Sequence, residues 1–229
     1  MNNSKWPERS VIPFAIPGLK FVFAAAILTG LLFLMEWTVL WCFSAFITIF
    51  ICWFFRDPER TVPDQYNCLV SPADGKIIVV EEKTTNEFTH EDCIKISIFM
   101  NVFNVHVNRI PFKGTVEDVI YVPGKFINAS FDKASEHNER NALVIRTDSG
   151  ALYGVVQIAG LIAKRIICKV KKGDQMERGS RYGMISFGSR LDLYLPSDSK
   201  ISVRLGQKVQ AGSTILAYLN DHDRIPTIT

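Results

Sequence analysis

The sequence lacks several features that would indicate a function directly. It has five cysteines, none in a C-x-x-C pair, and four histidines among 229 residues. This spacing favours neither a zinc site nor a disulfide framework, so we expect reduced thiols and no metal. The net charge is only +3, and without a basic excess we expect no nucleic-acid partner.

Charged side chains are almost missing from residues 21–55, where Glu36 is the one acidic or basic residue. Glu36 divides this stretch into two apolar runs, residues 21–35 and 38–55. At a helical rise of about 1.5 Å per residue, the second run is just long enough for a hydrocarbon core about 30 Å thick. We therefore expect residues 1–60 to form a membrane-anchoring helical hairpin.

The charges around the hairpin predict its orientation. Its tip is acidic, and basic residues lie outside both ends: Lys5, Arg9, Lys20, Arg56 and Arg60. The positive-inside rule then leaves both ends in the cytoplasm. A buried core hairpin of a soluble protein is the alternative. A cleaved signal peptide fits less well, since no small-residue cleavage site follows the first run.

Short β-branched runs bounded by Gly, Pro, Asn and Asp fill the rest of the chain. These runs cover residues 76–82, 93–100, 114–122, 141–147, 151–160 and 165–170. Leu191, Leu193 and Leu195 add a strand with period-2 alternation, and one helical pattern covers residues 126–137. Residues 61–229 are thus predicted to form a mostly β domain, a barrel or sandwich.

Two stretches are similar to biotinyl/lipoyl-type barrel-sandwich folds. Residues 204–219 contain turn glycines at 206 and 212, typical of the hairpins in such folds, and "VSPADGKIIVV" is similar to one of their turns. A carrier domain needs a modified lysine in a Met-Lys-Met-like turn, and this chain has none. The fold class indicated is mostly β (barrel-sandwich-like, β-rich α+β), with an N-terminal hydrophobic helical hairpin.

Four places could carry chemistry. His106 ends an apolar strand, where a polar side chain is either satisfied structurally or useful as an acid or base. Asp74 precedes Gly75 as turn aspartates do, His137 lies in a polar cluster, and Gly188-Ser189 looks like a tight turn. Each has an ordinary structural explanation when taken alone.

The order of several blocks along the chain favours chemistry. "FFRDPER", "SPADGKI", "FMNVFNVHVNRIP", "HNERNALVI" and "KGDQMERGSRYGMISFGSRLDLYLP" follow one another from about residue 54. With the glycine-rich segment that ends near residue 219, the series resembles the phosphatidylserine decarboxylase proenzymes in their short bacterial and archaeal form. The resemblance covers nearly all of the chain beyond the hairpin.

This resemblance implies roles for individual residues. Gly188 and Ser189 match the family's self-cleavage site, at which the serine hydroxyl attacks the preceding carbonyl. Ser189 would then become a pyruvoyl group, the covalent cofactor that accepts electrons as carbon dioxide leaves. His106 matches the histidine implicated in decarboxylation, and Asp74 matches the aspartate of an Asp-His-Ser arrangement that promotes cleavage.

One position departs from the family pattern. Long-form members carry a second histidine three residues after the first, whereas this chain has Arg109 there. Either His106 serves both reactions, or another group such as His137 takes the second role.

The resemblance also implies a substrate, partners and a location. Phosphatidylserine would be converted to phosphatidylethanolamine at the cytoplasmic face of the cell (inner) membrane. Arg56, Arg60 and Arg190 are expected near the surface, where they would favour anionic lipid, and Arg190 is expected to bind the substrate. The cleaved chains would remain a heterodimer, with further oligomerisation open. The alternatives are a decarboxylase of another seryl phospholipid, such as archaetidylserine, and a non-catalytic membrane-tethered binding module of barrel-sandwich fold.

Overall fold

A computed structural model describes residues 13–85, 88, 92–129, 137–161, 166–186 and 188–220. A 3₁₀ turn, Ile16–Gly18, leads into two helices, α1 (Leu19–Leu34) and α2 (Thr38–Phe54). The described residues also form fourteen strands: β1 Cys68–Val70, β2 Gly75–Thr85, β3 Asp92–Met100, β4 Val107–Arg109, β5 Gly114–Val122, β6 Arg140–Arg146, β7 Leu152–Ile158, β8 Ile166–Cys168, β9 Gln175–Met176, β10 Arg181–Ile185, β11 Ser189–Pro196, β12 Lys200–Ile201, β13 Lys208–Val209 and β14 Ile215–Tyr218.

The two helices expose their apolar side chains. No residue of α1 is buried, and only Ser44 and Phe54 of α2 are. Ile16–Leu34 is long and apolar enough to cross a membrane, with a mean hydropathy of 2.0, while α2 has 17 residues. The Oγ1 atom of Thr29 lies 2.7 Å from the Oγ atom of Ser44, so a polar contact joins the two helices inside this apolar pair.

Backbone hydrogen bonds join the two ends of this hairpin to each other at its base, and apolar contacts attach the base to the β-strands. The Ala15 N–H donates to the Phe55 carbonyl at 2.7 Å, and the Asp57 N–H donates to the Pro13 carbonyl at 2.8 Å. Phe54 and Phe55 are buried in a small apolar cluster with Val105 and other residues of the β-domain. The hairpin is therefore packed against the domain and is not only joined to it in sequence.

The β-domain is built on one large sheet and two small ones. The large sheet has eight strands in the order β13-β2-β3-β11-β7-β6-β5-β9, and the small sheets have the orders β1-β14-β12 and β4-β10-β8. All registered pairings are antiparallel. The expectation of a mostly β fold with N-terminal apolar helices is confirmed.

Strand β11 occupies the middle of the large sheet. It pairs with β3 over all eight of its residues and with β7 over Arg190–Tyr194. Leu191, Leu193 and Leu195 enter the main apolar core, as the period-2 alternation predicts. The chain therefore begins its most central strand at Ser189.

Most of the predicted strands are present, whereas one predicted pairing is wrong. The long β-branched runs form β2, β3, β5, β6 and β7, and β8 covers part of the run 165–170. Residues 204–219 do not form a hairpin, since β13 pairs with β2 while β14 pairs with β1 and β12. The turn between β13 and β14 instead connects two sheets. The helix expected at 126–137 falls mainly on residues 130–136, outside the described residues.

Candidate active site

Ser189 is completely buried at the start of β11. It lies opposite Met100 on β3, and its Oγ atom donates a hydrogen bond to the Met100 sulfur at 3.5 Å. Burial shields the hydroxyl from bulk water. Because a thioether is a weak acceptor, the hydrogen bond holds the hydroxyl only loosely. Such a hydroxyl is available for reaction.

Two glycines shape the backbone directly before Ser189. Gly188 has a φ of +52°, a left-handed conformation that costs residues with a Cβ about 1–2 kcal/mol. Its carbonyl oxygen lies against Gly160, just past the end of β7, where an added Cβ would overlap it. Position 188 therefore needs glycine for its dihedral angle, and position 160 needs glycine for space.

His106 is fully buried just before β4, and its hydrogen bonds determine its tautomer. Its Nδ1 atom lies 2.9 Å from the carbonyl oxygen of Asn104. A carbonyl only accepts, so Nδ1 carries the proton and Nε2 carries the lone pair. Nε2 is buried without a hydrogen-bond partner among the described residues.

The surroundings of His106 keep its ring neutral. Burial lowers the pKa of His106 to about 4; the bond to the Asn104 carbonyl opposes this shift, and the positive charge of Arg56 adds to it. At neutral pH the ring is therefore an uncharged base with a free nitrogen. It is the described histidine best suited to accept a proton inside the protein.

Asp74 lies in the turn between β1 and β2, and both of its carboxylate oxygens have partners. The guanidinium of Arg60 donates to Oδ2 at 2.8 Å, and the backbone N–H of Ala211 donates to Oδ1 at 2.8 Å. Asp74 makes no hydrogen bond to His106 or Ser189 among the described residues. The structure therefore does not join the three predicted residues as a hydrogen-bonded triad.

Comparison with known proteins identifies the family. A family model described as phosphatidylserine decarboxylase matches residues 47–217. The chain belongs to the phosphatidylserine decarboxylase family. It is 48% identical over 200 residues to the phosphatidylserine decarboxylase proenzyme of Syntrophus aciditrophicus, covering 87% of this chain and 94% of that protein.

Two further relatives carry the same name. The proenzyme of Cupriavidus taiwanensis is 54% identical over 175 residues, covering 76% of this chain and 81% of its own length. That of Ralstonia nicotianae is 47% identical over 220 residues, covering 96% of this chain and its own full length. As a member of this family, the chain is a carboxy-lyase.

Arg109, at the position that departs from the long-form decarboxylases, is engaged with the backbone. Its guanidinium donates to the carbonyls of Gly179 at 2.9 Å and Pro58 at 3.1 Å. Burial lowers the pKa of Arg109, yet an arginine side chain remains protonated in proteins and cannot act as a base. His137 is exposed, so His106 is the one buried histidine among the described residues.

The expectation that Arg190 lies near the surface is wrong. It is 1% exposed, and its guanidinium donates to Asp192 at 2.6 Å and to Ser97 at 2.8 Å. Neighbouring strand residues point to opposite faces, so Arg190 faces away from the side that carries Ser189 and Leu191. In this structure it binds protein groups inside the sheet.

Two buried amides near Ser189 were missed by sequence reasoning. Gln157 donates to Asn108 at 2.8 Å, and the Asn108 amide lies 3.8 Å from the Met100 sulfur that also accepts from Ser189. Both amides are fully buried. One sequence feature could have identified them, since each is a polar residue inside an apolar run, "VHVNRI" for Asn108 and "VVQIAG" for Gln157.

No group of three His, Cys, Asp or Glu side chains that could hold a metal ion occurs in the described part of the chain. The five cysteines, all within the described residues, form no disulfide.

Proposed function

We propose that this protein cleaves itself between Gly188 and Ser189 and then decarboxylates phosphatidylserine to phosphatidylethanolamine. The observation that carries this proposal is the buried Ser189 hydroxyl directly after a left-handed Gly188 whose carbonyl rests in the space left by Gly160. An ordinary surface turn needs neither the burial nor the second glycine. The match to a family of proteins named as proenzymes supports the same conclusion.

Self-cleavage needs a nucleophile, a base and a strained carbonyl. The Oγ atom of Ser189 attacks the carbonyl carbon of Gly188, the peptide C–N bond breaks, and an ester forms with the freed amine on Ser189. Elimination across the Cα–Cβ bond of Ser189 then releases the upstream chain as a carboxylate. Hydrolysis of the remaining dehydroalanine gives ammonia and a pyruvoyl group at the new terminus.

The proton on the Ser189 hydroxyl needs an acceptor, and we assign this role to His106. Its Nε2 atom is unprotonated and without a partner, and its depressed pKa keeps the ring neutral at physiological pH. Asp74, held by Arg60 and the Ala211 N–H, supports this step by fixing the turn between β1 and β2.

Ser189 also fits the role of precursor of a pyruvoyl cofactor. When present, a pyruvoyl group takes up the electron pair that carbon dioxide leaves behind. His106 would take up a proton from water during turnover and pass it to the carbon that has lost carbon dioxide. A histidinium in a site that depresses its pKa releases a proton readily.

The helical hairpin supplies membrane attachment in this proposal. Its exposed apolar side chains cannot be satisfied in water, and a diacyl lipid substrate stays in the bilayer. The basic residues at the base of the hairpin favour the cytoplasmic face and attract anionic phospholipid. The enzyme would therefore work at the cytoplasmic face of the cell membrane as a complex of its own two chains.

The test is the covalent state of purified protein. We expect two pieces on a denaturing gel and by intact mass: one ending at Gly188, and one covering residues 189–229 with a blocked amino terminus. Ser189→Ala should fold, remain whole and lack decarboxylase activity, because alanine has no Oγ. A free amino-terminal serine on the small piece, or normal activity in Ser189→Ala, contradicts the cofactor assignment.

Two further variants assign the base. His106→Ala should remain a single chain if His106 accepts the Ser189 proton, and Asp74→Ala should also fail to cleave. If His106→Ala cuts itself normally but turns substrate over about 10²–10⁴-fold more slowly, His106 acts in decarboxylation alone. The cleaved fraction on a denaturing gel distinguishes the two outcomes.

A further inference from the structure

The last residue of helix α2 contacts the proposed catalytic histidine. The ring of Phe54 lies over the imidazole of His106, with 4.2 Å between centroids and 34° between planes. Phe54 is 1% exposed, although it belongs to a helix whose other large apolar side chains are mostly exposed. The membrane hairpin therefore supplies one wall of the candidate active site.

We propose that Phe54 is a positioning residue, which holds the His106 imidazole in its reactive orientation and couples the docking of the membrane hairpin to self-cleavage. This inference rests on the proposed function and adds an element to it. It concerns a residue that does not touch the reacting atoms and acts through His106.

The geometry shows why one contact is not enough to fix the ring. The bond from Nδ1 to the Asn104 carbonyl restrains one edge of the imidazole. This bond fixes which edge of the ring faces Asn104, but it leaves the ring free to tilt about the bond. The tilted Phe54 ring packs against the imidazole and restrains that tilt, and Nε2 has no hydrogen-bond partner among the described residues. Pre-orienting a reactive group in this way contributes to catalysis without any movement during the reaction.

A second contact joins the hairpin to the turn that positions His106. The Arg56 guanidinium donates to the Trp53 carbonyl on the hairpin and to the Phe103 carbonyl in the turn before His106, both at 2.7 Å. The Asn104 side chain closes this turn by accepting from the Asn101 N–H at 2.9 Å. Displacement of α2 would therefore disturb both the ring plane and the loop that carries its hydrogen-bond acceptor.

Phe54 also excludes water from the imidazole. It packs in an apolar cluster with Val105 and Val107, the sequence neighbours of His106, and with Met184 of β10. Arg56, from the segment after α2, is the charged side chain in the described residues that acts on His106. Since burial is the main cause of the depressed pKa, opening the Phe54 side to water should move the pKa of His106 back toward 6.5.

The experiment measures the histidine directly and the cleavage rate separately. The full-length chain carrying Ser189→Ala, which stays whole, is placed in phospholipid nanodiscs, and the His106 ring is titrated by NMR. Phe54→Leu keeps most of the volume but removes the flat ring. We expect it to raise the pKa of His106 by about one unit or more. Phe46→Leu, on an exposed position of the same helix, is the matched control and should leave the titration unchanged.

The same two substitutions are then made in the chain with Ser189 intact. Phe54→Leu should slow self-cleavage by about tenfold or more, with a melting temperature close to that of the parent, and Phe46→Leu should cleave at the parent rate. Phe54→Met provides a second variant if the leucine chain does not fold. Unchanged cleavage, or slower cleavage with an unchanged His106 titration, overturns the role of Phe54. A parent chain that never cleaves instead contradicts the proposed function.

Discussion

The contact between two glycines is the most demanding single-residue feature of the site. Gly188 directly precedes β11 and Gly160 follows β7, and an added Cβ at position 160 would overlap the carbonyl oxygen of Gly188. The carbonyl at this contact is the one that the Ser189 hydroxyl attacks in the proposed reaction. Adding one methyl group at position 160 would therefore displace the carbonyl that reacts, while Ser189 and His106 themselves stay unchanged.

Gly160→Ala should slow self-cleavage strongly, because the added Cβ displaces the Gly188 carbonyl. Overpacking of this kind costs roughly 1–3 kcal/mol of unfolding free energy, so the variant should still fold. Its cleavage time course on a denaturing gel and its melting curve give the two effects separately. Gly30→Ala is the control, since an added Cβ there meets no atom within 4 Å. A Gly160→Ala chain that cleaves at the parent rate would show that the tight contact has no part in the reaction.

At the scale of elements, the segment directly after α2 ties the hairpin to the β-domain through buried charges. Asp57 is 3% exposed and accepts from Arg181 at 2.7 Å, while its other oxygen lies 3.6 Å from the Arg109 guanidinium. Two residues on, Glu59 also pairs with Arg181, and Arg60 pairs with Asp74. This segment therefore links the hairpin to the candidate site at several points.

Asp57→Asn should destabilise the protein, because it leaves Arg109 and Arg181 as buried cations without their shared counter-charge. Breaking one side of a buried ion pair costs roughly 3–5 kcal/mol. We would measure denaturant unfolding of the uncleaved Ser189→Ala chain with and without this change. Glu117→Gln removes the charge from a surface pair with Arg146, in which both side chains are 40% or more exposed, and should cost less than about 1 kcal/mol. Equal losses for the two variants would rule out a special role for the buried network.

The elements differ in how well the sequence predicts them. Long β-branched runs such as β3 and β11 were predictable because side-chain alternation is a local property. The two-residue strands β9, β12 and β13 were not predictable. A segment that short shows no hydrophobic alternation, and its pairing depends on residues far away in the sequence. Residues 204–219 were wrongly expected to form a hairpin for the same reason, because turn glycines specify a turn but not the partners of the strands beside it.

The candidate site was predictable only in part. Ser189, His106 and Asp74 could be named from their sequence blocks, and the structure buries all three. The burial of Arg190 was not predicted, because side-chain alternation shows on which face of the sheet a residue lies but not whether other residues cover that face. Phe54 and Gly160 could not be named, since one looks like any other residue of an apolar helix and the other depends on a contact with residue 188.

At the scale of the whole molecule, His106 links proton binding to stability. Its pKa is lowered to about 4 in the folded protein, whereas an unfolded histidine titrates near 6.5. Between these values the unfolded chain binds more protons than the folded one, so the free energy of unfolding falls as the pH falls.

The uncleaved Ser189→Ala chain should therefore lose on the order of 3 kcal/mol between pH 6.5 and pH 4 through this one histidine. The corresponding loss should be absent above pH 6.5. Unfolding curves at a series of pH values, compared with those of a Ser189→Ala/His106→Gln chain, isolate the contribution because the other ionisable groups are shared. Parallel pH profiles for the two chains would mean that His106 is not held neutral by the fold.

The central position of β11 determines what a cut before Ser189 does to the molecule. Residues 189–220 supply the middle strand of the large sheet and, through β14, the middle strand of a small one. The two pieces would share both sheets and one core, so they could part only by complete unfolding. The nitrogen of the peptide bond that joined them would have left as ammonia, so no simple reversal could restore that bond. Each molecule would thus fold only once, as a continuous chain. After cleavage, the active form would persist because it unfolds slowly, which is kinetic stability.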